Sequence, residues 1–251
     1  MPSSTVLDSK VPPATLGFWI VKILATTAGE TGGDALSMTL NFGYALATLV
    51  FLACFVATLA VQVRAARYRP LAYWAVVVAT TTVGTTTSDF LDRSAGLGYA
   101  KSSALLLAAV IAVLVVWRVV AGRIEYQQIV ERRDEVFYWL AIVVANTLGT
   151  ALGDFAASAA GLGFEGGALL FAVLIALVAA VWRLAPRAPA AVLFWCAYVL
   201  TRPLGATLGD TLTKPHAEGG FALGRIGATL AIVASMAVIV ALQSRRRVTE
   251  P

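Results

Sequence analysis

Apolar stretches of about 20 residues, each long enough to cross a bilayer core of about 30 Å, recur along this chain between short polar segments. The pattern predicts spans near residues 14–35, 42–62, 71–91, 98–118, 136–157, 163–183, 191–212 and 221–243. A polar motif is repeated in the odd-numbered spans. Trp19, Trp74, Trp139 and Trp195 each follow an aromatic residue, and ten residues later stands Gly29, Gly84, Gly149 or Gly205. At the fourteenth position come Gly33, Ser88, Gly153 and Gly209, and at the fifteenth Asp34, Asp89, Asp154 and Asp210. The four copies align without a gap from Trp to Asp, which marks an internal repeat.

Each repeat reads as two helices, over about 14–62, 71–118, 136–183 and 191–243. The copies start 55, 65 and 56 residues apart, and the extra length falls in a polar segment at about 119–135, read as a solvated linker between halves. Gly-aromatic pairs at Gly43-Tyr44, Gly98-Tyr99 and Gly163-Phe164 are expected to open the even-numbered helices, with Phe221 as the less regular fourth case.

Composition places all 251 residues in one membrane domain: 59% are hydrophobic and 13% charged, against roughly 25% charged in a soluble domain. The fold expected is an all-α integral membrane protein. In such a chain the net charge of +5 is a topology signal and points to no nucleic-acid partner. Basic residues cluster between repeats (Arg64, Arg67, Arg69; Arg118, Arg123, Arg132, Arg133; Arg183, Arg187) and in the tail (Arg245, Arg246, Arg247). The turns within repeats hold only Arg93, Lys101 and Lys214. Both termini are therefore expected in the cytoplasm, and the four repeats parallel about an axis along the membrane normal. The first span, with no basic leader or convincing cleavage site, is read as retained. The four Trp are expected in an interfacial belt at the cytoplasmic side, and Cys54 and Cys196 as reduced core residues.

Helical rise puts each aspartate roughly 22 Å beyond its Trp, deep in the outer part of the bilayer. The small residues at positions ten and fourteen make a face for close helix packing. Positions eight, eleven and fifteen share a neighbouring face. They give Thr27, Glu30 and Asp34; Thr82, Thr85 and Asp89; Thr147, Thr150 and Asp154, with Asn146 alongside; and Pro203, Ala206 and Asp210. Charges at membrane depth are costly and usually face a protein interior or a pathway. Glu30, Asp34, Asp89, Asp154 and Asp210 against Lys22, Arg202 and Arg225 predict a net acidic interior. Such an oxygen-rich lining suits a hard cation, Mn²⁺ or Mg²⁺ before others, or a coupled proton, with no cofactor required. Arg202 would act as charge balance, and Pro203 behind it predicts a broken helix in repeat four. The bland alternative is that the aspartates only cap helix ends or tie helices together. His216 reads as an exposed loop residue.

The quartet of Trp…Gly-x-x-x-(Gly/Ser)-Asp units resembles a family of bacterial membrane proteins defined by four tandem copies of a repeat of unknown function. The resemblance covers about residues 14–243, with Ser88 and the Arg202-Pro203 pair as departures. It implies a bacterial inner-membrane location and supplies no activity. The residues themselves point to a transporter of a small inorganic cation, its partners the lipid bilayer and the ion, with a homo-oligomer allowed. A channel is the first alternative, since Thr81-Thr-Val-Gly84 looks like a potassium-filter string, although the segment from Asp89 to Tyr99 leaves no room for a pore helix. An enzyme is not expected, because no Ser/His/Asp set, metalloprotease motif or phosphate loop is present. A sensor or scaffold is the remaining alternative.

Overall fold

A computed structural model describes residues 9–249, and the side chains through Ser244. The Arg245, Arg246 and Arg247 side chains and residues 1–8 lie outside the described residues. Eight α-helices and no strand are found among the described residues: α1 (Leu16–Asp34), α2 (Gly43–Arg64), α3 (Pro70–Asp89), α4 (Tyr99–Ala121), α5 (Arg132–Asp154), α6 (Gly163–Leu184), α7 (Ala190–Thr213) and α8 (Arg225–Thr249). Six of them, α2 and α4 to α8, are long and apolar enough to cross a membrane, which makes the chain a multi-pass membrane protein. The helix starts follow local chemistry. Thr15 caps α1 by accepting from the Phe18 amide, and Pro70 opens α3, where its missing N–H costs nothing.

The odd helices form a closed ring in which α1 packs on α3 and α7, and α5 packs on α3 and α7. Each even helix packs against the odd helix of the next repeat: α2 on α3, α4 on α5, α6 on α7, and α8 back on α1. Only 11–17% of the spanning windows of α2, α4, α6 and α8 is buried, against 67% for α5 and 61% for α7. The ring is the interior and the even helices are its apolar outer face.

Glycines set the ring's diameter. The small residue at position ten of each repeat lies against position seven of the next. A Cβ on Gly84 would sit 2.8 Å from the Asn146 backbone, and a Cβ on Gly29, Gly149 or Gly205 would collide with Thr81, Arg202 or Thr26. Close approach also lets side chains reach neighbouring carbonyls: Thr81 Oγ1 donates to Ala25 O at 3.1 Å and Thr26 Oγ1 to Thr201 O at 3.2 Å.

After the aspartate the chain widens into a π-turn in the first three repeats, over Ala35–Thr39, Phe90–Ser94 and Phe155–Ala159. The glycines that precede or open the next helix, Gly43, Gly98 and Gly163, have φ of 69°, 72° and 67°, the left-handed region that a side chain resists. Repeat four differs. Its helix runs on to Thr213, and the following loop folds back, with Phe221 N donating to Thr211 O at 2.7 Å and Ala222 N to Lys214 O at 2.9 Å. Phe221 therefore lies in the loop, and the last helix begins at Arg225.

Four expectations from the sequence need correction. Trp74, Trp139 and Trp195 do not face lipid at an interface; they are buried with Phe18, Tyr73, Tyr138 and Phe194 in an aromatic cluster that fills one end of the ring. The segment between halves is not a solvated spacer. Ile129 and Val11 are buried in the same cluster, Lys10 N donates to Ile129 O at 2.9 Å, and Lys10 Nζ pairs with Glu135 at 2.7 Å, so the N-terminal strap and the linker close that end together. Helix α7 is continuous through Pro203. Cys54 and Cys196 are free and exposed on the outer apolar surface rather than in the core.

Candidate functional site

Polar residues fill the ring in layers along its axis, starting beyond the aromatic end. Lys22, three residues after Trp19, is fully buried. Its ammonium donates to Asn146 Oδ1 at 3.2 Å and lies 4.2 Å from the centre of the Tyr198 ring. Helices α1 and α5 face each other across the ring, so this bond crosses the axis. Asn146 Nδ2 in turn donates to Thr80 Oγ1 at 2.9 Å.

The next layer is built at position eleven, by Glu30, Thr85, Thr150 and Ala206. Arg202, also fully buried, rises into it from position seven of α7. Its stem packs on Gly149, where no side chain competes for the space. Its Nη2 donates to Glu30 Oε2 at 2.9 Å and to Thr85 Oγ1 at 2.6 Å, which ties α7 to its neighbour α1 and to α3 across the axis. Glu30 is held over Gly209, where a Cβ would lie 2.9 Å from the Glu30 Cβ.

The third layer holds the four aspartates, all buried. Lys214 Nζ stands 3.1 Å from Asp34 Oδ2 and 3.2 Å from Asp210 Oδ1, and Arg225 Nε adds a longer contact to Asp34 at 3.5 Å. On the other side Arg93 reaches Asp89 Oδ1 at 3.3 Å and Asp154 Oδ2 at 3.4 Å, and donates to the Tyr44 hydroxyl at 3.0 Å. Burial alone would lower the Lys214 amine, but the Asp210 and Asp34 carboxylates outweigh it and hold the group protonated well above the ordinary lysine range. Asp89 Oδ2 is buried with no hydrogen-bond partner among the described residues.

The residues named from the sequence thus separate into groups. Glu30, Asp34 and Asp210 converge: one carboxylate oxygen from each lies within 4.8 Å of the others. Asp89 and Asp154 are joined to each other through Arg93. Thr85, Arg202 and Asn146 belong to the axial network. Thr27, Thr82 and Thr147 return their hydroxyls to their own helices, at Ile23 O, Ala79 O and Val143 O. Position eight is turned about 100° from position seven, and position seven is the one that reaches across helices. Thr150 Oγ1 is buried and without a hydrogen-bond partner among the described residues.

The expected net acidic interior is not found. Arg93, Arg202, Lys214 and Arg225 all contact the five carboxylates. Arg93 and Lys214 read as turn residues in the sequence because they lie past the apolar run. The missed signal is their spacing: each stands four residues after its aspartate, one helical turn on, and only in repeats two and four. The string Thr81-Thr-Val-Gly84 is plain α-helix, so its carbonyls are engaged along the helix and do not line a filter.

No curated protein and no solved structure matches the chain. The family model described as Repeat of Unknown Function (DUF347) matches four times, over residues 17–68, 72–123, 137–188 and 193–249. These matches follow the four copies of the Trp-to-Asp motif and cover most of the sequence, and the chain therefore belongs to that repeat family.

Proposed function

We propose that the protein carries a small inorganic cation across the bacterial inner membrane, with a divalent metal such as Mn²⁺ or Mg²⁺ as substrate. The observation that carries this reading is the convergence of Glu30, Asp34 and Asp210, three buried carboxylates from two ring helices within 4.8 Å. Hard divalent cations take oxygen ligands in this arrangement. In the proposed arrangement all eight helices cross the membrane, as four parallel two-helix units about a common axis, with both termini cytoplasmic. Helices α1 and α3 fall outside the six that are long and apolar enough by composition, and their buried threonines and carboxylates are turned to the ring interior, where lipid does not reach.

Lys214, Arg225 and Arg202 occupy these carboxylates in the present state. They serve as resident counter-ions: an arriving metal displaces the Lys214 ammonium from Asp34 and Asp210, and the ammonium returns when the metal leaves. Without such a stand-in, an emptied site would leave two or three buried negative charges, each costing several kcal/mol. A second reading, a static charge-paired core in a sensor or scaffold, is favoured by the ion pairing of these three cations and of Arg93. Flux separates the two. In proteoliposomes loaded with a metal-sensitive dye, Asp34→Asn and Asp210→Asn are expected to reduce Mn²⁺ uptake at least tenfold in protein that still elutes as a folded species. Uptake equal to wild type in both variants would sink the transport reading in favour of the static one.

A further inference from the structure

The middle of the ring carries more cation and more hydrogen-bond donor than its protein partners use. Lys22 and Arg202 are both fully buried and reach toward the axis in successive layers, and the one carboxylate that either touches is Glu30. Among the described residues the Lys22 ammonium, with three N–H donors, meets a single acceptor, Asn146 Oδ1, besides the Tyr198 ring. The Arg202 guanidinium has five donors, and Nη2 alone is engaged; Nε and Nη1 are buried without partners. The Thr150 hydroxyl is in the same condition. It belongs to the layer in which Glu30 and Thr85 receive Nη2, and it follows Gly149, on which the Arg202 stem rests.

Buried donors left unmatched cost free energy, and a buried cation more so. A ligand that relieves all of them at once is small, negatively charged and made only of acceptor. We infer that Lys22, Arg202 and Thr150 bind a small inorganic anion of halide size on the ring axis, between the Lys22 layer and the Glu30 layer. The chain supplies no second carboxylate in that layer, whose other members are Thr85, Thr150 and Ala206. The site borders the proposed metal carboxylates through the Arg202–Glu30 pair but contains no aspartate, and it stands whether or not the protein transports a metal.

The test uses the full chain, purified in detergent with divalent metals removed, and compares chloride and bromide with gluconate at fixed ionic strength. Gluconate, a much larger organic anion, serves as the control. Halide is expected to raise the unfolding midpoint saturably, by about 2–4 °C or more near saturation, while gluconate does not. Lys22→Gln should shift the half-saturating halide concentration upward at least tenfold, and Thr150→Val, which keeps the shape and removes the hydroxyl, by about threefold. Equal midpoints in halide and gluconate would overturn the site, and that is also the result if water alone bridges the donors. An unchanged half-saturating concentration in both variants overturns it too. If Lys22→Gln does not fold, Thr150→Val decides. Because no metal is present, failure here leaves the carboxylate reading untouched, and failure of metal flux leaves this site untouched.

Discussion

On one side of the aspartate layer Lys214 joins Asp210 to Asp34, and on the other Arg93 joins Asp89 to Asp154. The construction is the same. A basic residue one turn past its own aspartate reaches the aspartate of the following repeat, from repeat four to repeat one and from repeat two to repeat three. Repeats one and three have Met38 and Ser158 at the matching position. A chain that is fourfold in its Trp-to-Asp motif is therefore twofold in its charges. The two sides differ in completeness. The Lys214 side has a second cation, Arg225, and lies against the Glu30–Arg202 pair, and the Lys214 side chain is 10% exposed. The Arg93 side has one cation for two carboxylates, and its side chain is 34% exposed. The Lys214 side is the more buried and more fully neutralised of the two, and the Arg93 side is the more open.

The largest effect is expected at the deepest ion pair. Glu30→Gln leaves Arg202 buried with no carboxylate, and removing one partner of a buried pair costs about 3–5 kcal/mol. A drop of that size in detergent unfolding is expected for Glu30→Gln. Most of it should be recovered by the apolar pair Glu30→Leu with Arg202→Met, since replacing both partners removes the stranded charge. If Glu30→Gln unfolds like wild type, the deep side is not over-determined and the contrast between the two sides fails.

Lys214→Met ranks next. It strips the shared cation from Asp34 and Asp210, but Arg225 stays on Asp34, so a loss of about 2–3 kcal/mol is expected, below the Glu30 effect. The loop after α7 gives a way to reach the same contact indirectly. A Cβ on Gly220 would stand 2.6 Å from the carbonyl carbon of Lys214, so Gly220→Ala must push the lysine backbone away, at about 1–3 kcal/mol. The two effects should not add: Gly220→Ala in the Lys214→Met background is expected to cost clearly less than in wild type. Full additivity in that double-mutant cycle would mean that the loop does not position the lysine.

What was legible in the sequence, and what was not, follows the same division. The repeat, its two-helix unit and the packing role of Gly29, Gly84, Gly149 and Gly205 could be read directly, because a gap-free spacing maps onto one helical face. The convergence of Glu30, Asp34 and Asp210 rests on those spacings as well. The cations were harder to place. Arg93 and Lys214 look like turn residues when hydropathy is read alone, and only their common offset from an aspartate reveals the role. Helical spacing groups position eight, with Thr27, Thr82 and Thr147, on the face of positions eleven and fifteen and draws no attention to position seven. Position seven varies as Thr26, Thr81, Asn146 and Arg202, and that variation carries the asymmetry of the axis. The burial of Trp74, Trp139, Trp195 and Ile129 could not be read locally, since it depends on a strap and a linker that meet only after folding.

The smallest effect is expected where the layer is most open. Arg93→Met removes the one cation shared by Asp89 and Asp154, and on charge count alone it should rival Lys214→Met. Exposure argues otherwise. With its side chain 34% exposed and its contacts at 3.3 and 3.4 Å, Arg93 attracts its carboxylates through a partly aqueous medium. Such pairs are worth about 1 kcal/mol or less and weaken as salt screens them. Unfolding of Arg93→Met and of wild type should therefore differ by about 1 kcal/mol or less at low ionic strength, and the gap should narrow toward zero at about 1 M salt, while the Lys214→Met gap persists. Metal uptake sharpens the point. If the protein carries a metal as proposed, removing Arg93 takes away a cation that competes for Asp89 and Asp154, so uptake at low metal concentration should rise, with the maximal rate little changed. If instead Arg93→Met proves as destabilising as Lys214→Met and equally indifferent to salt, the two sides are equivalent in energy, and the contrast between them fails.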